Sequence, residues 1–137
     1  MNTFARTVDL LHRAMDASVV RRQVIANNLA NADVPNFKRT TVNFESELKR
    51  ALDSEKRRPA LELNLTHEKH IPNFKERDYR DVQIRRVLDY TSMYNNNGNN
   101  VDPEQEFMLA VQNQMAYNLM VQAVNFEFGQ VNQVLRN

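Results

Sequence analysis

The chain has no cysteine, no tryptophan, two glycines and four prolines among 137 residues, and each shortage excludes something. Without cysteine there is no disulfide, no thiolate metal site and no cysteine nucleophile, and the redox compartment is immaterial. Glycine occurs only at positions 98 and 129, so a glycine-rich phosphate loop is ruled out. So little glycine and proline leaves scant material for turns, and long helices are expected. No apolar run reaches eighteen residues, so neither a membrane-spanning helix nor direct membrane insertion is expected. Eighteen Lys and Arg against seventeen Asp and Glu leave a net charge of +1, without the basic face that nucleic acid requires. The opening MNTFARTVDLLHRAMDASVV is interrupted by Arg6, Asp9, His12, Arg13 and Asp16, which does not read as a signal peptide. Any export is expected to proceed without a cleaved signal.

What the chain does have is helical period at both ends. Phe4, Val8, Leu11, Met15, Ser18, Arg22, Ile25 and Leu29 alternate four and three apart, six of the eight apolar, and predict an amphipathic helix to about Asn31. Asp102-Pro103-Glu104-Gln105 reads as an N-cap, a proline at the first helical position and a capping-box glutamine. From there Phe107, Ala110, Gln114, Tyr117, Val121, Val124, Phe128, Val131 and Leu135 form one stripe. Met108, Val111, Met115, Leu119, Ala123 and Phe126 form a second, centred roughly 170° away at 100° per residue. Methionines at this spacing read as packing rather than a cofactor pocket.

The chain therefore divides into an N-terminal helix (1–31), an irregular middle (32–101) and a C-terminal helix (102–137). The middle holds a short helix over Asn43 to Ser54, with Phe44, Leu48 and Leu52 on one side. It also holds two candidate strands, Leu61/Leu63/Leu65 and Val82/Ile84, and a flexible joint, NNNGNN, at 95–100. The fold class is mainly α, with the long N- and C-terminal helices paired as an antiparallel coiled-coil-like hairpin.

Chemistry is sparse. His67 and His70 flank Glu68, but no third ligand is evident, and two histidines do not make a metal site. Ser18, Ser46, Ser54 and Ser92 lie in no nucleophile-elbow context. No enzyme, cofactor or metal is expected. A hairpin buries one stripe of the C-terminal helix against the N-terminal one. The other stripe is left for partners, because a contiguous apolar face marks an interaction surface.

At the end of the first helix stands IANNLANADVPNFKR, with three asparagines where a helix gains little from them. This segment resembles the signature of the bacterial flagellar rod and hook protein family. There, a helix ending in Ala-Asn-Asn-hydrophobic-Ala-Asn leads into a Thr-Pro-Gly-Tyr-Lys-like turn. GNNVDPEQE before the last helix is similar to the family's second hallmark, and the length, NFESELKRAL and LTHEKHI resemble its short members at the proximal end of the rod. Asn27, Asn28, Asn31, Pro35, Phe37, Asn99, Asn100 and Asp102 are the positions that carry the motifs. Asn36 stands where glycine is common, Phe37 where tyrosine is, and Val34 where threonine is; asparagine tolerates the left-handed region.

The resemblance implies a non-enzymatic subunit of the periplasmic rod, passed through the flagellar export apparatus and packed by its terminal helices around the export channel. Implied partners are its own copies, other rod proteins and the adaptor joining rod to membrane ring. The packing residues would be Phe4, Val8, Leu11, Met15, Ile25 and Leu29 on one helix. On the other they would be Phe107, Tyr117, Val121, Val124 and Phe128 with Met108, Val111, Met115 and Leu119. Asn27, Asn28 and Asn31 are expected to satisfy their amides on neighbouring helices and so fix register, since a buried unpaired amide costs about 1–3 kcal/mol. The competing expectation is a stand-alone helical module that receives an amphipathic partner helix on the Met108/Met115 face.

Overall fold

The computed structural model describes residues 3–56, 64, 66–70, 77–92 and 94–136. In chain order it contains α1 (Thr3–Ala30), β1 (Thr40–Asn43), α2 (Glu45–Lys56), a 3₁₀ turn (Tyr79–Asp81), β2 (Arg85–Leu88) and α3 (Pro103–Leu135). The fold is mainly helical, with a two-stranded antiparallel sheet. It forms two compact units: Met1–Val42 with Arg86–Asn137, and Asn43–Arg85.

In the first unit α1 and α3 pair along their lengths. Their contacts, Phe4 with Phe128, Ser18 with Asn113 and Asn28 with Glu106, run in opposite order along the two helices, so the pair is antiparallel. At 1.5 Å per residue the helices are roughly 42 and 50 Å long. α3 starts as its sequence dictates: the Asp102 carboxylate accepts from Glu104 N (2.9 Å) and Gln105 N (3.3 Å), with Pro103 following. α1 ends in a series of tight turns, Asn31 N to Asn28 O, Ala32 N to Leu29 O and Val34 N to Asn31 O. These satisfy carbonyls that a helix end leaves without partners.

β1 (TTVN) is rich in β-branched residues, which suit an extended backbone. Thr41 Oγ1 donates to Val87 O, and Asp89 N to Arg39 O (2.8 Å), extending the pairing beyond β2. The strand expected at Val82 and Ile84 begins instead at Arg85, because Val82 closes the 3₁₀ turn by donating its N–H to Tyr79 O. Leu61, Leu63 and Leu65 lie outside the described residues.

In the second unit α2 follows the predicted short helix. Leu48 N donates to Phe44 O (2.8 Å), and the Asn43 carboxamide accepts from Ser46 Oγ. Phe44, Ala51 and Tyr79 are buried there. Ser54 Oγ accepts from Arg77 N (3.0 Å) and donates to Ala51 O (2.7 Å). Among the described residues no helix is long and apolar enough to cross a membrane.

Candidate functional site

Two features of the first unit stand out: a knot of asparagines joining the ends of α1 and α3, and the outward side of α3.

The knot ties residues 28–40 to residues 89–106. Asn28 is 1% exposed; its Nδ2 donates to Thr40 O (2.8 Å) and Glu106 Oε2 (3.2 Å), and its Oδ1 accepts from Thr40 N (3.0 Å). Glu106, equally buried, also accepts from Arg39 Nε in an ion pair. Asn99 Nδ2 lies 2.8–2.9 Å from three backbone carbonyls, of Asn31, Ala32 and Val34, while its Oδ1 accepts from Val101 N (2.7 Å). Asn100 Oδ1 accepts from Arg39 N, and its Nδ2 donates to Asp89 O and Ser92 Oγ. A side-chain amide offers both donors and acceptors, so it can stand in for a strand where the backbone turns sharply.

The turn geometry explains two residues. Asn36 is the one described non-glycine residue with positive φ, +60°, the left-handed conformation that its place in the motif predicts. Its N–H donates to Asn97 O (3.0 Å), and a Cβ on Gly98 (φ +79°) would lie 2.5 Å from its Oδ1. Lys38 Nζ donates to Gly98 O (2.7 Å). The 95–100 segment, expected to be a flexible joint, is thus held from several directions.

Asp89 closes the far side. Its carboxylate accepts from the Ser92 hydroxyl and the Thr91 and Ser92 backbone N–H groups, with the Thr91 hydroxyl adding a fourth bond. These donors, the Ser92 hydroxyl foremost, hold its pKa well below the ordinary carboxylate value.

The three asparagines of the first motif separate in role. Asn28 is spent within its own chain, Asn31 donates to Asn27 O (2.7 Å), and Asn27 is exposed. Phe37 is half-buried and Pro35 exposed. Beyond the spacing of seven between Glu106 and Asn113, nothing in the sequence singles out Arg39, Thr40, Glu106 and Asn113 as site residues. Ser18, expected in the α1 stripe, has a polar partner there.

That spacing matters for α3. The inward stripe contains Ala110, Tyr117, Val121, Val124 and Val131, all half-buried. Phe128, 48% exposed, meets the Phe4 ring edge-on at 5.5 Å. Phe107 and Gln114, expected in the same stripe, are exposed, and Glu106 and Asn113 take their places. A straight helix has 3.6 residues per turn, so a strict seven-residue repeat drifts about 20° per heptad. By Phe107, three heptads from Phe128, it has left the contact. Leu135 is exposed, on the rim of an open cleft that it shares with Thr3, Phe4 and Thr7 of α1. On α1, Phe4, Val8, Leu11, Met15 and Leu29 are half-buried and Ile25 is buried.

The result is a helix apolar on two sides. The fully buried side chains of α3 are Glu106 and Asn113, both polar. A row of its large apolar ones points away: Met108, Met115, Leu119 and Phe126 are 61–65% exposed, with Val111 beside them. From Phe107 to Leu135 the only charged residue is Glu127; the other polar positions are glutamines, asparagines and Tyr117.

Comparison with known proteins agrees with the motif reading. The family model described as flagella basal body rod protein matches residues 11–38, from the third turn of α1 through the Asn36 turn. The chain is 46% identical over 136 residues to the flagellar basal body rod protein FlgB of Borreliella burgdorferi, spanning 99% of this chain and all of that one. It is 46% identical over 136 residues to FlgB of Borrelia hermsii, with the same coverage. It is 33% identical to FlgB of Bacillus subtilis, over 98% of this chain and 97% of the relative.

Proposed function

The chain belongs to the flagellar basal body rod protein family, and on that footing we propose how it serves as a structural subunit of the proximal rod. The observation that carries the reading is the exposed apolar strip Met108-Val111-Met115-Leu119-Phe126 on the side of α3 opposite α1. Fully burying one large apolar side chain contributes roughly 1.5–3 kcal/mol, so a row of them left in water is a standing drive toward association. Because the surface around it carries amides rather than charges, it suits close packing among uncharged helices and gives no purchase to polyanions.

On this reading the α1–α3 pair is the assembly element, and the neighbours are further copies and other rod components. The knot at the helix ends fixes how α3 leaves the 89–101 segment, and so the direction in which the strip points. Asn27 and Pro35, exposed beside the knot, are the motif positions left available to neighbours. Passage through the flagellar export apparatus, a periplasmic location and contact with the adaptor between rod and membrane ring are part of the same proposal.

The test is a deletion strain. It should lack flagella while retaining the other rod proteins inside the cell, and the intact gene should restore both. A deletion strain that builds complete basal bodies contradicts the reading.

A further inference from the structure

Apolar attraction is not directional, and α3 offers apolar residues on both sides, so packing alone does not say which side turns toward α1. Two buried polar pins do. Ser18 Oγ donates to Asn113 Oδ1 (3.0 Å), while Asn113 Nδ2 donates to Ser18 O (2.9 Å); both residues are buried. Glu106 joins Asn28 and Arg39 at the first turn of α3. The pins lie seven residues apart, about two helical turns, and so share one face. Were α3 rotated to bring Met115 and Leu119 inward, Asn113 would swing out and leave the buried Ser18 hydroxyl facing thioether and methyl groups. Glu106 would leave Asn28 and Arg39. A single buried polar residue fixes register in coiled coils by the same penalty.

We propose that the Ser18–Asn113 pair and the Arg39–Glu106–Asn28 triad determine specificity: they select the inward face of α3 and thereby keep the Met108-to-Phe126 strip outward. The use of the spared strip rests on the rod reading; the choice of face does not, and the following test requires no assembly.

Since the chain has no cysteine, single thiols report each face. Leu119→Cys reports the outer side and Val124→Cys the inner side. In the otherwise unaltered full chain, diluted until it is monomeric, Leu119→Cys should react with a thiol reagent roughly tenfold faster, a preference equal to about 1.4 kcal/mol. The same pair is then read in three backgrounds: Ser18→Ala with Asn113→Leu, Arg39→Met with Glu106→Leu, and all four together. Either pin alone should preserve the contrast. With both gone and the helical circular dichroism retained, Val124→Cys should speed up while Leu119→Cys slows. Three results overturn the proposal: a tenfold contrast that survives loss of both pins, both thiols reacting fast because α3 has undocked, or no contrast in the unaltered chain. Loss of helical signal in the four-fold variant also overturns it, because replacing both partners of a polar pair with apolar groups should leave folding nearly unchanged.

Discussion

Asn28 Nδ2 and Glu106 Oε2 lie 3.2 Å apart although 78 residues separate them in the chain, and both side chains are buried. With Arg39 on the other carboxylate oxygen, Glu106 is a buried charge whose value to the fold depends on its partners. Removing one member of such a pair costs about 3–5 kcal/mol, whereas replacing both with apolar residues is often neutral. Glu106→Ala should therefore lower the unfolding free energy by about 3 kcal/mol. Arg39→Met with Glu106→Leu should recover much of that loss. Denaturant titrations of the single and double variants make the comparison.

Asn99 faces three carbonyls through its amide nitrogen. Asn99→Asp, nearly identical in shape, puts an acceptor against acceptors, and should destabilise more than Asn99→Ala. The alanine variant takes the amide donor from all three carbonyls, of which Asn31 O and Val34 O keep a backbone N–H, so it should cost about 1–3 kcal/mol in all; aspartate adds repulsion. Thermal unfolding should rank them parent, Ala, Asp. At exposed Asn27, alanine should change stability by no more than about 0.5 kcal/mol.

The two glycines should respond with opposite signs. Gly98 has φ +79°, and a Cβ there would sit 2.5 Å from Asn36 Oδ1, so Gly98→Ala should destabilise by at least ~1 kcal/mol. Gly129 lies inside α3, and a Cβ added there meets nothing within 4 Å. Gly129→Ala should stabilise the isolated chain by about 1 kcal/mol through helix propensity. Chemical denaturation of both variants reads the signs directly.

Asp89 supplies a pH dependence. Its folded pKa is depressed below the ordinary 3.8 by the donors of Ser92 and Thr91, so the unfolded chain takes up the proton first as pH falls. The stabilisation is present above pH 3.8 and is lost progressively below it. Thermal melts between neutral and strongly acid pH should show a decline in this window that is shallower in Asp89→Asn.

How much of this was written in the sequence depends on distance along the chain. The Asp102 cap, the extent of both long helices, the two-sided α3 and the left-handed Asn36 are local properties and were legible. The pairing of Asn28 with Thr40 and Glu106 was not, because neighbouring asparagines look alike until a distant residue selects one. NNNGNN reads as a loose joint by composition, yet Asn99 and Asn100, themselves buried, find acceptors that only the folded chain supplies. Reading the seam at a strict seven-residue period put Phe107 where Glu106 belongs; the helix's 3.6-residue turn makes up the difference.

α3 presents an uncharged apolar strip which a lone copy leaves wet. Sedimentation velocity of the full chain over increasing concentration, at low and high salt, tests it most directly beside a Met115→Lys, Leu119→Lys variant. Association should grow with concentration, persist at high salt because no ion pairs are screened, and disappear in the variant with helical content unchanged. A chain that stays monomeric at every concentration, or a variant that associates as well as its parent, contradicts it.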